Sequence, residues 1–364
     1  MSLMENQKSA PLYDPRVSTD RYPLKLSSAD IDQLSEITGH NCAPAIYKRK
    51  HNDVCQIESF KTKISCKEVE VVSTELPKSV EMLVDEVQCS NSLGIQEMGS
   101  QFMKLLMEVK ETVLIPDLTI GQSSNKLWFA YRYGRVTASK MHRVMAQVNN
   151  DLKLKPKNEK RFLSPAENLV SDVLGYKKLF FSKATSWGTE NESKAVKRYF
   201  KDTKGKHQDL KITETGVHIC KDHPFIAASP DGVIYCSCCP SCLLKVKSPW
   251  KHRNNLISDL VADPTSCLHE IDGKVTLKRS HAYWTQVQCQ MGVLDTHTCV
   301  FYVFTLKDSY CETISFDKNF WALLCKKASL FYKKMVVPEM FSHEIKDKIV
   351  VKKTLEELLD NICK

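Results

Sequence analysis

FIAASPDGVIYCSCCPSCLLKVKSPW, residues 225–250, is the stretch on which the reading of this chain turns. Phe225 to Ala228 is a short run of apolar and small residues that stops at Ser229-Pro230, the pattern of a strand running into a turn. Val233 to Tyr235 and Leu243 to Val246 read as the arms of a hairpin, joined by a tract with four cysteines, Cys236, Cys238, Cys239 and Cys242. The second arm alternates, with Leu244 and Val246 on one face and Lys245 and Lys247 on the other. Taken alone, that alternation is a strand with its lysines turned to solvent. Asp231 stands at the bend beside Gly232, and taken alone Pro230-Asp231-Gly232 is a good β-turn.

Around this hairpin the chain divides by character. Residues 1–120 are less regular: Pro11, Pro15 and Pro23 punctuate a polar opening, and Ser28 begins a short capped helix ending near Gly39. Lys78–Val87 and Gln96–Val113 read as helices, the second with Phe102, Leu105, Leu106 and Val109 at helical spacing. This region is read as an accessory part packing on the main domain. Lys48-Arg49-Lys50 reads as a solvated turn, with a nuclear import signal as the alternative. From residue 121 an aromatic-rich segment leads into a helix expected to be capped at Thr137 or Ser139. Residues 161–174 read as a helix closed by Gly175. Gly188-Thr189 reads as a turn feeding a helix from Glu190 to Phe200. Ile212–Cys220 reads as one strand. A helix from Tyr283 to Leu294, strands at Cys299–Leu306 and Glu312–Phe316, and a helix from Asn319 to Met335 complete the pattern. Helices and strands intermix, so the class is mixed α/β or α+β. The expected division is 1–120 accessory, 121–340 main domain and 341–364 helical tail.

The bulk numbers bound the functions. The 364 residues carry a formal net charge of +9, with 42% hydrophobic and 26% charged residues, a globular composition that admits a polyanionic partner without requiring one. No run of about 18 apolar residues is present, so no transmembrane helix is expected. The first residues lack an apolar core, so they do not read as a secretory signal. Fifteen cysteines without such a signal point to reduced thiols in an intracellular protein, with metal binding as a use for some.

Five segments, in order, carry a resemblance: W-x-x-x-R-x-G-R-V-T-A-S at 128–139, W-G-T-E-N-E-x-x-A at 187–195, A-S-P-D-G at 228–232, L-x-V-K-x-P at 244–249 and Y-W-T-Q-V-Q-x-Q-M at 283–291. Each is weak alone. Together they resemble the phage-lambda-type exonucleases, also called YqaJ-like viral recombinases, within the PD-(D/E)XK nucleases. The resemblance implies a central mixed sheet flanked by helices. It also implies hydrolysis of DNA with Mg²⁺ or Mn²⁺, beginning at a duplex end and running from the 5′ side, in a recombination or repair setting. No membrane partner is implied, and a homo-oligomer is compatible with it.

The same resemblance implies the roles. Glu192 and Asp231 would hold the metal, with Glu190 as the fallback and the Val246 carbonyl as a further ligand. Lys247 would stabilise charge near the attacking water, and Gln286, with Gln288 beside it, would lie near the nucleophile or substrate. Arg132, Ser139, Ser229 and Arg253 would form a pocket for the 5′-terminal phosphate, which suits a guanidinium fork and hydroxyl donors. One position departs from the pattern: Lys245 stands where the family expects a glutamate ligand. An ammonium about 4 Å from a cation repels it by roughly 4 kcal/mol per unit charge at an effective dielectric of about 20. Two readings follow, a nuclease weakened at Lys245, or a degenerate nuclease fold that binds or scaffolds DNA ends. The cysteine tract reads as a reduced turn, with Zn²⁺ on Cys236, Cys239 and Cys242 as the alternative, joined by Cys220 or His218.

Overall fold

The computed structural model describes residues 76–90, 93–109, 112–150, 163–177 and 182–352. The helix expected after Ser28 and the Lys48-Arg49-Lys50 cluster lie outside them. In chain order come α1 (Val80–Ser90), α2 (Ile95–Glu108), α3 (Ile115–Leu118), α4 (Lys126–Arg132), β1 (Val136–Thr137), α5 (Met141–Asn149) and α6 (Pro165–Val173). The long α7 (Lys183–Thr203) precedes β2 (Lys211–Thr213), β3 (His218–Ile219), β4 (Ile226–Ala228), β5 (Gly232–Tyr235) and β6 (Cys242–Lys247). Then follow α8 (Ile257–Ala262), β7 (Leu268–Ile271), β8 (Lys274–Leu277), α9 (Ala282–Leu294), β9 (Thr298–Phe304) and β10 (Ser309–Ser315). The chain continues through α10 (Lys318–Phe331), a π-helical turn (Tyr332–Val336) and α11 (Val337–Ser342). No helix among the described residues is long and apolar enough to cross a membrane.

The fold is mixed α/β. Five strands lie in the order β10-β9-β6-β5-β2, and β6 and β9 run parallel while the other neighbours are antiparallel. A smaller sheet, β1-β4-β3, stands beside it. Both faces of the larger sheet are covered. On one, Leu244 and Val246 of β6 pack with Ala195 and Tyr199 of α7. On the other, Leu243 joins Phe301 and Val303 of β9 with Trp284, Val287 and Met291 of α9. Lys245 and Lys247 alternate onto this second face with Leu243. The lysines therefore do not point to solvent, and Lys245 is only 7% exposed.

A third cluster joins α1 and α2 to α5, α6, α10 and α11 through Val80, Leu83, Phe102, Leu106, Met141, Val170, Phe331 and Met340. Gly134 makes this closeness available: its φ is +67°, and a Cβ there would lie 2.4 Å from a Val80 methyl.

Several local expectations are corrected. Thr137 is in β1 and Ser139 lies past its end; α5 starts after Lys140 with no side-chain cap. Gly188 and Thr189 are inside α7, which Ser182 caps by accepting from the Thr185 amide, so the turn expected there is a helix interior. The strand expected at 212–220 is split into β2 and β3, which belong to different sheets. Gly216 sits between them against α3, where an added Cβ would lie 2.0 Å from the Thr119 hydroxyl oxygen. That hydroxyl accepts from the Val217 amide at 2.8 Å, so the chain is pinned to α3 and leaves the sheet. The β7–β8 hairpin turns at Asp272-Gly273, both at positive φ, the geometry such a pair favours.

Candidate functional site

The SPDG loop between β4 and β5 is fixed from four sides. The Gln290 side chain donates to the Ser229 carbonyl at 2.9 Å, and the Trp128 indole to the Ser229 hydroxyl at 3.0 Å. Gln122 donates to the Pro230 carbonyl at 2.9 Å, and the Asp231 amide pairs with the Leu244 carbonyl at 3.1 Å. A loop held by three side chains and one backbone hydrogen bond presents Asp231 at one position with little freedom left to lose.

Asp231 is buried, and both carboxylate oxygens are engaged. Lys245 Nζ lies 2.5 Å from Oδ1, and the Val246 amide donates to Oδ2 at 2.7 Å. Glu192, on the face of α7 toward β6, feels this pair: burial, then the Asp231 charge, raises its carboxyl to about 7. Burial, then the Lys245 charge, lowers the Lys247 ammonium to about 7, and Lys247 Nζ sits 4.2 Å from the centre of the Tyr283 ring. Glu192, Asp231, Lys245 and Lys247 thus form one electrostatic cluster. Glu190, the fallback, is exposed. Mg²⁺ takes oxygen donors at about 2.0–2.1 Å and keeps several waters. Here an ammonium already occupies the best carboxylate, so the residues present do not fit such an ion.

Helix α9 bounds the cluster. Tyr283, Gln286 and Gln290 fall at i, i+3 and i+7, one stripe that meets Lys247 at one end and Ser229 at the other. Gln286 is half-buried on this stripe. Gln288 is elsewhere: fully buried, it donates to the Ser315 carbonyl at 2.9 Å and accepts from the Asp317 amide at 2.8 Å. It ties α9 to the β10–α10 turn and is not near Asp231. Gln290, third in the QVQCQ run, is the glutamine the sequence reading missed; its four-residue offset from Gln286 was the available signal.

Beyond the SPDG loop lies a basic group. The Arg132 guanidinium stacks on Trp128, 3.6 Å from the ring centre, and the same indole holds Ser229. Burial lowers Arg132 to about 10. Lys140 falls to about 8 through burial and then the Arg132 charge. Ser139 is exposed, with its hydroxyl 3.2 Å from that of Thr137. Arg132 and Ser229 thus share Trp128, Lys140 feels the Arg132 charge, and Ser139 precedes Lys140 in the chain. Arg253 belongs to another group: it stacks on Trp250 at 3.7 Å and donates to the Trp250 carbonyl at 2.9 Å, and Trp250 meets Trp187 of α7 edge-on. Arg135, in the same motif as Arg132, is wholly buried and bonded to the Pro224 and Tyr131 carbonyls, a structural residue. His281, which caps α9, is lowered by burial and then by the neighbouring His142, Lys278 and Lys247 charges. Lys247, His281 and His142 are close enough to interact, and α5, which carries His142, starts directly after Lys140.

The cysteine tract differs from expectation in membership. His207, Cys236, Cys238 and Cys239 bring their ligand atoms within 4.8 Å of one another. Cys242 does not join: it is the first residue of β6, half-buried against the α7 side of the sheet. His218 bonds the Thr215 hydroxyl at 2.7 Å on β3, and Cys220 is in the helical core, so neither completes the group.

Among solved structures, the alkaline exonuclease of Laribacter hongkongensis is 24% identical, with 64% of this chain and 98% of that one covered at a TM-score of 0.39. The shutoff and exonuclease protein of Kaposi's sarcoma-associated herpesvirus is 11% identical, with 71% and 80% covered at 0.42. A phage-related exonuclease from Haemophilus somnus is 17% identical, with 57% and 96% covered at 0.36. No curated protein matches the chain. The YqaJ-like viral recombinase domain model matches residues 127–298, and the viral alkaline exonuclease model matches residues 25–208, half of the chain. The two matches overlap over residues 127–208, which hold Arg132 and Glu192, and the chain belongs to the viral alkaline exonuclease and YqaJ-like viral recombinase family.

Proposed function

We propose that this protein holds ends of duplex DNA in a PD-(D/E)XK-type core whose hydrolytic centre is neutralised by its own Lys245. Family membership supports a nuclease of the viral-recombinase and alkaline-exonuclease type, with divalent-cation use in general. The Lys245–Asp231 ion pair is the observation that sets this chain apart from that activity. The ammonium supplies, permanently, the positive charge a metal would bring, but it offers no open coordination position and lowers no water's pKa.

The DNA-holding half of the reading rests on the groups that remain. Arg132, Lys140 and the Ser139 and Ser229 hydroxyls suit a terminal phosphate, since a guanidinium fork and hydroxyls bind its oxygens with charge-assisted hydrogen bonds. Beyond them, Lys247 gains positive charge as pH falls through about 7, next to the path of a duplex backbone. Arg253, stacked on Trp250 apart from the Arg132 group, is proposed to contact DNA on its offset from Pro249 alone.

The test is fluorescence anisotropy with a linear duplex bearing either a 5′-phosphate or a 5′-hydroxyl. The expected result is tighter binding of the 5′-phosphate, with the preference lost in Arg132→Ala. Equal binding of both ends, unchanged in that variant, contradicts the reading.

A second reading, an active 5′→3′ exonuclease, is favoured by one observation: Glu192 and Lys247 are both shifted to about 7, the range suited to proton transfer. It requires Lys245 to leave Asp231. In that case the protein as it stands degrades DNA, and Asp231→Ala abolishes the degradation.

A further inference from the structure

The cysteine-rich end of the hairpin carries a separate site. Cys236 follows β5 directly, Cys238 and Cys239 lie in the turn before β6, and His207 comes from the loop after α7. His207 Nδ1 stands 3.6 Å from each of the Cys236, Cys238 and Cys239 sulfurs. The Cys236–Cys238 and Cys238–Cys239 sulfurs are 3.6 and 3.7 Å apart. Zinc bonds of about 2.3 Å to sulfur and about 2.0–2.1 Å to nitrogen, at tetrahedral angles, give edges of about 3.8 Å between sulfurs and about 3.6 Å between sulfur and nitrogen. The measured edges are those of such a tetrahedron, and far longer than the roughly 2.05 Å of a disulfide.

From this geometry we propose that His207, Cys236, Cys238 and Cys239 form a structural Zn²⁺ site. The surroundings suit thiolate ligands. The Gln208 backbone amide hydrogen-bonds the Cys238 sulfur. The loop is fixed beside the site: the Ser237 amide donates to the Gln208 carbonyl at 2.9 Å, and its hydroxyl to the Asp209 carboxylate at 2.7 Å. Such outer hydrogen bonds orient ligands and hold charge on sulfur. Binding releases the protons of the thiols that are not already ionised. Four protein ligands close the coordination shell, so the ion is structural and not hydrolytic.

The position gives the site its use. The tip of the β5–β6 hairpin is joined to the loop leaving α7. Asp231 and Lys247 lie at the opposite end of the same hairpin, about 13 Å away along a four-residue strand, and Glu192 is on α7. Zinc therefore fixes, from the far end, the two elements that bring Glu192 to Asp231. The proposal rests on the four ligand atoms and not on the reading of the Asp231 cluster.

The experiment is metal analysis of the full-length protein purified without chelator, with replacement of zinc by cobalt. The expected result is about one zinc per chain, and a cobalt form with thiolate charge-transfer bands and the intense visible bands of tetrahedral coordination. His207→Ala and Cys238→Ser should weaken metal binding by at least about 100-fold, beyond what loss of an outer hydrogen bond produces. Cys242→Ser and Cys311→Ser should keep the metal. Circular dichroism of the variants separates loss of a ligand from loss of the fold. A wild-type protein with less than stoichiometric zinc and no tetrahedral cobalt spectrum overturns the proposal. So does a disulfide among the three cysteines, or retention of the metal in a folded His207→Ala variant.

Discussion

Lys245 and Asp231 form a buried ion pair in which the ammonium nitrogen lies 2.5 Å from one carboxylate oxygen while the Val246 amide holds the other at 2.7 Å. Every donor Asp231 needs is supplied by the next strand. The strand carrying Lys245 is covered on both faces, so the lysine cannot turn to water without repacking against α9. A position that reads on paper as an unfavourable substitution at a metal site is, in the fold, a closed electrostatic unit.

Breaking one half of that unit should be costly. Lys245→Met leaves the Asp231 carboxylate buried with only the Val246 amide, and loss of one partner of a buried pair costs about 3–5 kcal/mol. Adding Asp231→Asn, which keeps an acceptor for Val246, should recover most of this. Urea denaturation of the single and double variants measures it; equal losses in both contradict the pairing.

The acid–base behaviour of the cluster has a definite sign. Glu192 is raised from 4.5 to about 7, so its contribution to stability is full below its ordinary value and is lost as pH rises toward 7. Lys247 is lowered from 10.5 to about 7, so its contribution is present at alkaline pH and is lost as pH falls toward 7. The two place a local minimum of stability near neutrality. The difference in Tm between Glu192→Gln/Lys247→Met and the unaltered protein should be largest there and shrink on both sides. A difference independent of pH counts against the shifts.

The same titrations act on DNA binding. As pH falls through 7, Glu192 loses a negative charge and Lys247 gains a positive one, so affinity for a duplex should rise. Either single variant should remove part of that rise, as read by anisotropy at fixed salt. Binding that weakens on acidification would show that neither group faces the phosphates.

The three glutamines of α9 should separate by role. Gln288→Ala strips partners from the Ser315 carbonyl and the Asp317 amide and should cost about 1–3 kcal/mol, with end preference unchanged. Gln290→Ala frees the Ser229 carbonyl and should reduce both stability and 5′-phosphate preference. Gln286→Ala should stay within about 0.5 kcal/mol in stability and alter only DNA handling. Thermal unfolding and anisotropy on the same three proteins check this; a Gln288→Ala variant with normal stability contradicts the assignment.

Much of this was legible beforehand because it is local. The alternation of Leu243 to Lys247 gave β6, Pro230-Asp231-Gly232 gave the bend, and the apolar spacing of Phe102 and Leu106 gave a buried helix face. What was not legible depends on contacts distant in sequence. Taken alone, the alternation turned Lys245 to solvent, because it names two faces without saying that α9 covers the second; only the family resemblance put Lys245 at the site. Gly188-Thr189 looked like a turn because glycine lowers helix propensity, but Ser182 caps the helix earlier and the turns on either side carry it through. His207 lies 29 residues before Cys236, and no spacing rule within the tract points to it. Gln288 and Gln290 differ by two positions on one helix, which is enough to send them to opposite sides.

The most direct measurement is degradation of 5′-phosphorylated linear duplex with Mg²⁺ or Mn²⁺ by the protein, its Lys245→Glu variant and Asp231→Ala. Lys245→Glu sets two carboxylates side by side, a repulsion of roughly 4 kcal/mol at about 4 Å and an effective dielectric of about 20. That variant should therefore be stabilised by the divalent ion, which a Tm with and without chelator registers. The expected result is no degradation by the protein as it stands and metal-dependent degradation by Lys245→Glu. Degradation by the unaltered protein that disappears in Asp231→Ala would contradict the account.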